Sequence, residues 1–318
     1  MSDTNEPNWE RKVLEKVALE SIAEQRRRRR WGIFFRLLGF AYVTVLLGMF
    51  VDWGRTDKMS EGQKFTALVT LNGVIQAKGD VNAEHVNAAL QSAFEDKSTA
   101  GVVLSINSPG GSPVQAGMIN DEIRRLRAAH PTIPLYVVVE DVCASGGYYV
   151  AAAADKIFVD KASIVGSIGV LMDGFGFTGS MEKLGVERRL LTAGESKGFL
   201  DPFSPQNQHH KAHAQAMLAE IHQQFIDVVR KGRGARLKES PEMFSGLMWS
   251  GSKSVELGLA DAYGTVDSVA RDVIKAADVR DFTVKPNIAE KFAKQFGANL
   301  GQGVAESALN TLSKTTLR

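Results

Sequence analysis

From Phe65 onward, short apolar runs alternate with longer stretches in which apolar residues recur at helical spacing. Phe65–Leu71, Gly101–Ile106, Leu135–Glu140 and Lys156–Val159 are β-branched or apolar throughout most of their length, as strands buried on both faces are. Between them Ala83–Phe94, Val114–Ala129 and Ser145–Ala154 predict helices. Strands alternating with helices argue an α/β fold with a mostly parallel sheet. Further on, the pattern predicts a helix over Gly179–Leu184, a strand over Val186–Thr192 and a long helix from Gln206 to Lys231. A helix over Ala289–Phe296 and a Gly/Ser/Thr-rich tail end the chain, and no internal repeat of fixed period is present.

The N-terminal pattern is different. Val13, Leu14 and Val17 give Trp9–Ala23 an amphipathic spacing, and five consecutive arginines follow at 26–30. Trp31–Trp53 is then almost entirely apolar, with Arg36 close enough to the arginine run to snorkel. About 20 apolar residues cross a bilayer. Trp31 and Trp53 sit where interfacial aromatics belong, and basic residues before the span mark its cytoplasmic side. Residues 31–53 are therefore expected to form one transmembrane helix, with 1–30 in the cytoplasm and a polar linker over 54–64. A cleaved secretory signal fits less well, because Met49-Phe50-Val51-Asp52-Trp53 lacks a small-x-small site.

Composition adds two constraints. The 318 residues carry a net charge of +2, and residues 1–30 hold eight of the 38 basic and six of the 36 acidic side chains. The rest of the chain is neutral, which argues against nucleic-acid binding. A lone cysteine, Cys143, excludes an intramolecular disulfide framework.

The candidate chemistry lies where strands end. Cys143-Ala144-Ser145-Gly146-Gly147 joins an apolar run to an Ala-rich helix. A tight turn of this kind holds a hydroxyl in place while helix N-terminal amides face the same space. An ordinary βα turn with Ser145 as its N-cap reads the same residues equally well. A second strand runs into Asn107-Ser108-Pro109-Gly110-Gly111, whose paired glycines let backbone N–H groups point outward, as an oxyanion hole requires. A third stretch, Gly194–Phe203, sets Lys197 among apolar and turn residues.

In order and spacing, Asn-Ser-Pro-Gly-Gly, Ala-Ser-Gly-Gly-Tyr-Tyr and Gly166-Ser167-Ile168-Gly169-Val170 resemble the signal peptide peptidase A family (peptidase family S49, 36K type). The resemblance runs from about Phe65 to Ala270 and implies a serine protease domain over 65–285 with a Clp-protease/crotonase-like fold. It makes Ser145 the nucleophile, Lys197 the general base, and the N–H groups of Gly111 and Gly146 the oxyanion donors. Ser167 would hold the lysine amine. The segment Glu239–Ala260 resembles the part that closes this fold, and 286–318 would be a C-terminal tail. A lysine acts as a base only where apolar surroundings favour the neutral amine, a setting Phe199, Leu200 and Phe203 would supply. Neither a cofactor nor a metal is implied. Hydrophobic peptides such as cleaved signal peptides would be the substrates, and relatives form closed homo-oligomeric rings. With the anchor, this places the catalytic domain on the periplasmic side of the inner membrane.

Rival chemistries have weaker support. Cys143 beside a strand end reads as a small core residue. A Ser-His-Asp triad would draw on His85, His130, His209, His210, His213 or His222, none of which lies in a strand-end motif. His209 and His213 are spaced i, i+4 but lack an acidic ligand in a zinc pattern. Lys183 and Lys211 read as surface lysines. The alternative function is a crotonase-like acyl-CoA hydratase or hydrolase, which shares the fold and the oxyanion hole. Such an enzyme has no use for a Ser–Lys pair, and the anchor would carry the domain away from cytosolic thioesters. A scaffold with a decayed site would not keep all three motifs.

Overall fold

The computed structural model describes residues 9–52 and 63–284. The chain divides into two units, 1–63 and 64–318. In the first, one uninterrupted 44-residue helix, α1 (Trp9–Asp52), joins the amphipathic stretch and the start of the apolar span that the pattern treats separately. Trp31 stacks on Phe35 one turn away, with ring centroids 5.6 Å apart, and Phe34, Leu37, Leu38, Phe40 and Val45 are all exposed. Among the described residues no helix is long and apolar enough to cross a membrane. The predicted span 31–53 continues through side chains 46–53, which lie outside the described residues, as do linker residues 54–62, the predicted helix Ala289–Phe296 and the rest of the tail 286–318.

The second unit is the predicted α/β arrangement. Its order is β1 (Phe65–Asn72), α2 (Ala83–Glu95), β2 (Thr99–Ser108), α3 (Pro113–Ala129), β3 (Leu135–Ala144), α4 (Gly146–Ala151), β4 (Lys156–Val159) and β5 (Ile164–Gly166). There follow α5 (Thr178–Lys183), α6 (Gln208–Arg233), β6 (Met248–Ser250), α7 (Gly251–Glu256), β7 (Ala262–Tyr263), a short α8 (Val266–Ser268) running into a π-helical turn, and β8 (Val279–Asp281). One sheet in the order β6-β5-β3-β2-β1-β8, with β4 on β3 and β7 on β4, holds all of these strands. Every pairing is parallel except β5 with β6.

Strand alternation sorts the core into two faces. Ala67, Val69 and Leu71 of β1, Val102, Leu104 and Ile106 of β2, and Val137 and Val139 of β3 join the larger cluster with α2, α3 and α4. Val103, Val138 and Phe158 point the other way and meet Val269 of the π-helical turn. Both faces are covered, which is why these strands read as continuous apolar runs rather than as alternation.

Three expectations change. The third strand does not stop at Glu140 but runs to Ala144, because Glu140 and Asp141 bulge out between the pairings Ile106↔Val139 and Ser108↔Cys143. The bulge is satisfied locally: Ser105 Oγ donates to the Glu140 carboxylate at 2.6 Å, and Ser163 Oγ donates to the Glu140 carbonyl at 2.6 Å. The helix after Ser145 ends at Ala151, and the Ala153 carbonyl accepts from Arg127 Nη1 at 2.5 Å instead of an intrahelical donor. Val186–Thr192 is not a strand: among the described residues it has no partner edge, and Leu191 is 96% exposed.

Candidate active site

The site is assembled from strand ends at the carboxyl edge of the sheet, where open α/β sheets present their ligand sites. β3 is long enough to pair with β4 along its first half and with β5 along its second. Ala144 of β3 faces Gly166 of β5 in register, so the next residues, Ser145 and Ser167, leave adjacent strands side by side. Both adopt φ 51°, a left-handed conformation that costs a non-glycine residue about 1–3 kcal/mol. Backbone hydrogen bonds hold them there: the Ser145 N–H donates to the Gly166 carbonyl at 2.8 Å, and the Ser167 N–H to the Leu247 carbonyl at 2.8 Å. Ser145 caps no helix amide with its side chain. Its hydroxyl is therefore not used as the N-cap alternative requires.

The Gly110–Gly111 turn is clamped against this elbow. Ser108 Oγ donates to the Gly73 carbonyl at 2.7 Å and accepts from the Gly110 N–H at 3.1 Å. Ile75 N–H donates to the Gly110 carbonyl and Ser112 N–H to the Ile75 carbonyl, both at 2.8 Å. These bonds engage the neighbours of Gly111 and leave its own N–H out. Gly110 and Gly111 take φ of 101° and 144°, and a Cβ on Gly111 would fall 2.1 Å from the Ile75 carbonyl oxygen. The Gly111 nitrogen lies 3.3 Å from where a Cβ on Gly146 would be. Gly146 is the first residue of α4, so its N–H has no intrahelical acceptor. Among the described residues neither N–H has a backbone acceptor, and both lie beside the Ser145 turn, the kind of arrangement an oxyanion hole needs.

A cavity of about 500 Å³ opens onto this point. Ser145, Gly111 and Gly146 line one side, and Val114, Met118, Val170, Ile221 and Phe225 supply an apolar wall. Of these wall residues only Val170 lies in a motif that the sequence singles out. Their signal was the four-residue spacing of Pro113, Gly117 and Asp121, which puts one face of α3 next to the glycine turn. The opposite wall is secured by His222 of α6, whose Nε2 lies 3.2 Å from the Ile168 carbonyl and, facing an acceptor, donates to it. Asn120 of α3 donates to the Tyr149 carbonyl at 2.7 Å and so fixes α4 to α3.

Two titratable groups near Ser145 are silenced by burial. Cys143 is fully buried, and burial pushes its thiol far up, which disfavours the thiolate a nucleophile needs. Burial likewise pushes the Tyr148 phenol up, so it stays neutral and donates to the Leu259 carbonyl at 2.7 Å. Of the histidines, His222 is held on the Ile168 carbonyl, and His210 and His213 pack on Phe199 with ring centroids at 5.4 and 5.8 Å. Lys197 is exposed in the turn after Gly194, lines no part of the cavity, and its amine makes no hydrogen bond or ion pair among the described residues. One chain therefore unites Ser145, Gly111, Gly146 and Ser167 and leaves Lys197 apart.

The model of peptidase family S49 matches residues 127–280. A putative protease of Methanocaldococcus jannaschii is 32% identical over 295 residues, 86% of this chain and 92% of that protein. The chain belongs to peptidase family S49. A putative signal peptide peptidase SppA of Enterococcus faecium is 31% identical over 262 residues, 79% of this chain and 75% of the relative. A Brucella melitensis protein described as a Na(+)/H(+) antiporter NhaA is 44% identical over 209 residues, 64% of this chain, and the match spans 28% of that protein's length. The strained Ser145 elbow lies within the matched residues, and the buried Cys143 behind it is part of the core.

Proposed function

We propose that this S49 peptidase is a membrane-anchored endopeptidase that hydrolyses hydrophobic peptides, such as the remnants of cleaved secretory signals, on the outer side of the cytoplasmic membrane. Ser145 Oγ attacks the scissile carbonyl and passes its proton to the Lys197 amine, which Ser167 orients. The oxyanion forms against the N–H groups of Gly111 and Gly146. Collapse expels the amine product, which takes the proton from Lys197. Water, activated by the same amine, then hydrolyses the Ser145 ester.

The observation that carries this reading is the left-handed Ser145 turn packed against Gly110 and Gly111 at the mouth of an apolar cavity. The mostly parallel sheet with its strand-end turns fits the Clp-protease/crotonase-like fold. An apolar wall suits apolar substrate side chains. The exposed position of Lys197, on a stretch that also exposes Leu171, Phe175, Leu184 and Leu191, supports a homo-oligomeric ring in which a neighbouring copy completes the dyad. The anchor reading, with residues 1–30 in the cytoplasm, is supported by the five exposed arginines of 26–30 directly before the exposed apolar stretch that begins at Trp31.

The test uses the full chain in detergent with a fluorogenic hydrophobic peptide and, separately, an enoyl-CoA. Peptide cleavage that Ser145→Ala abolishes supports the proposal, and turnover of the thioester alone contradicts it. Protease added to intact spheroplasts should reach the catalytic domain, and protection of that domain would contradict the topology.

A further inference from the structure

We propose that Asp121 is a specificity-determining residue, whose carboxylate draws a lysine or arginine side chain of the substrate peptide to the far end of the cavity beside Ser145. The inference rests on the peptidase reading above.

Among the described residues lining that cavity, Asp121 alone carries a formal charge. Its carboxylate is exposed and, among the described residues, enters no hydrogen bond or ion pair. Arginines further along α3 have hydrogen-bond partners other than Asp121. Arg124 donates through Nε to Asn120 Oδ1 at 2.8 Å, and Arg127 pairs with Asp155. Arg124 feels the Asp121 charge without reaching it. A peptide that covers this end of the cavity with apolar side chains desolvates an unpaired carboxylate, which is unfavourable. A basic side chain on the peptide supplies the missing partner.

Position follows from the helix. Asp121 lies eight residues beyond Pro113 on the same face of α3, about 12 Å along the axis at 1.5 Å per residue. An extended peptide covers that distance in about four residues. The substrate so described has a basic residue three to five positions from the cleaved bond, next to an apolar stretch. Secretory signals have that order, a positively charged region bordering an apolar one.

The experiment walks a single lysine through positions two to six on either side of the scissile bond of an apolar fluorogenic peptide, with norleucine at the same positions as the uncharged comparison. On one side, lysine three to five residues away should raise kcat/KM about fivefold over norleucine, the scale of one partly exposed ion pair. The gain should shrink with added salt. Asp121→Asn should lose the lysine preference, and Asp121→Lys should transfer it to glutamate at the same position. Titrating the same peptides onto Ser145→Ala by fluorescence anisotropy reads the preference as a ratio of Kd values without turnover. Absent hydrolysis with a retained lysine preference in binding counts against the peptidase reading and leaves Asp121 supported. Equal handling of lysine and norleucine peptides in both assays, or no binding of either, overturns the role of Asp121.

Discussion

A Cβ added to Gly110 would lie 2.7 Å from the Gly146 nitrogen and 2.7 Å from the Cβ of Ser145. The glycine turn after β2 and the serine elbow after β3 are thus in direct backbone contact. Their N–H groups share one small space because neither turn leaves room for a side chain between them.

Gly110→Ala should therefore displace the Gly146 donor and the Ser145 elbow together. Loss of one oxyanion donor costs about 10²–10³ in kcat, and at least that much is expected here. Stability should fall by about 1–3 kcal/mol, since φ at Gly110 is 101°. Gly117→Ala has open space at its Cβ in the middle of α3 and should instead stabilise by about 1 kcal/mol. Urea melts of both variants check the contrast; equal stability of the two would contradict the packing described.

The buried pair behind the site sets an acid limit. Arg233, whose side chain is 0% exposed, donates to Asp261 Oδ2 at 2.9 Å and to the Gly258 carbonyl at 2.8 Å. Burial alone would raise the Asp261 carboxyl, but the hydrogen bonds and charges of Arg233 and Arg236 and the Ile157 N–H outweigh it and hold it below the usual carboxylate range. A carboxylate depressed in this way stabilises the fold fully above its unfolded pKa of about 3.9, and that contribution is lost as pH falls through the lower folded value. Asp261→Asn should cost about 3 kcal/mol at neutral pH, by leaving Arg233 buried and unpaired. The gap between the two proteins should close as pH drops below about 4. Denaturant midpoints across pH 2–7 measure it, and a gap independent of pH would refute the assignment.

Much of the site was legible because it is local. Ser145-Gly146-Gly147 and Pro109-Gly110-Gly111 announce their turns within a few residues, and the flanking apolar runs mark them as strand ends. The continuation of β3 was hidden because Glu140 and Asp141 interrupt its apolar run, and only Ser105, Asn107 and Ser163 from other segments make the bulge tolerable. Val186–Thr192 has a strand's composition, but a strand exists only with an edge to pair with. Lys197 stands in a recognisable motif, yet its distance from Ser145 depends on contacts remote in sequence. The cavity wall was missed for the same reason: Val114 and Met118 of α3 meet Ile221 and Phe225 of α6 only in the folded domain.

The proposed dyad makes a separate prediction about Lys197. Lys197→Arg should be as inactive as Lys197→Ala, because a guanidinium does not give up its proton at working pH. If the exposed lysine serves a neighbouring subunit, mixing Ser145→Ala and Lys197→Ala protomers should restore part of the activity. A monodisperse monomer with full activity in light scattering would rule out the shared site, and near-normal turnover by Lys197→Arg would remove Lys197 as the base.

The most direct test of the serine centre is covalent. The full chain is treated with a fluorophosphonate, digested, and the modified residue located by mass spectrometry. Modification of Ser145 alone, absent in Ser145→Ala and lost when Gly110→Ala distorts the turn, is the predicted result. Modification at Cys143 or at another hydroxyl, with Ser145 intact and peptide hydrolysis abolished, would contradict it.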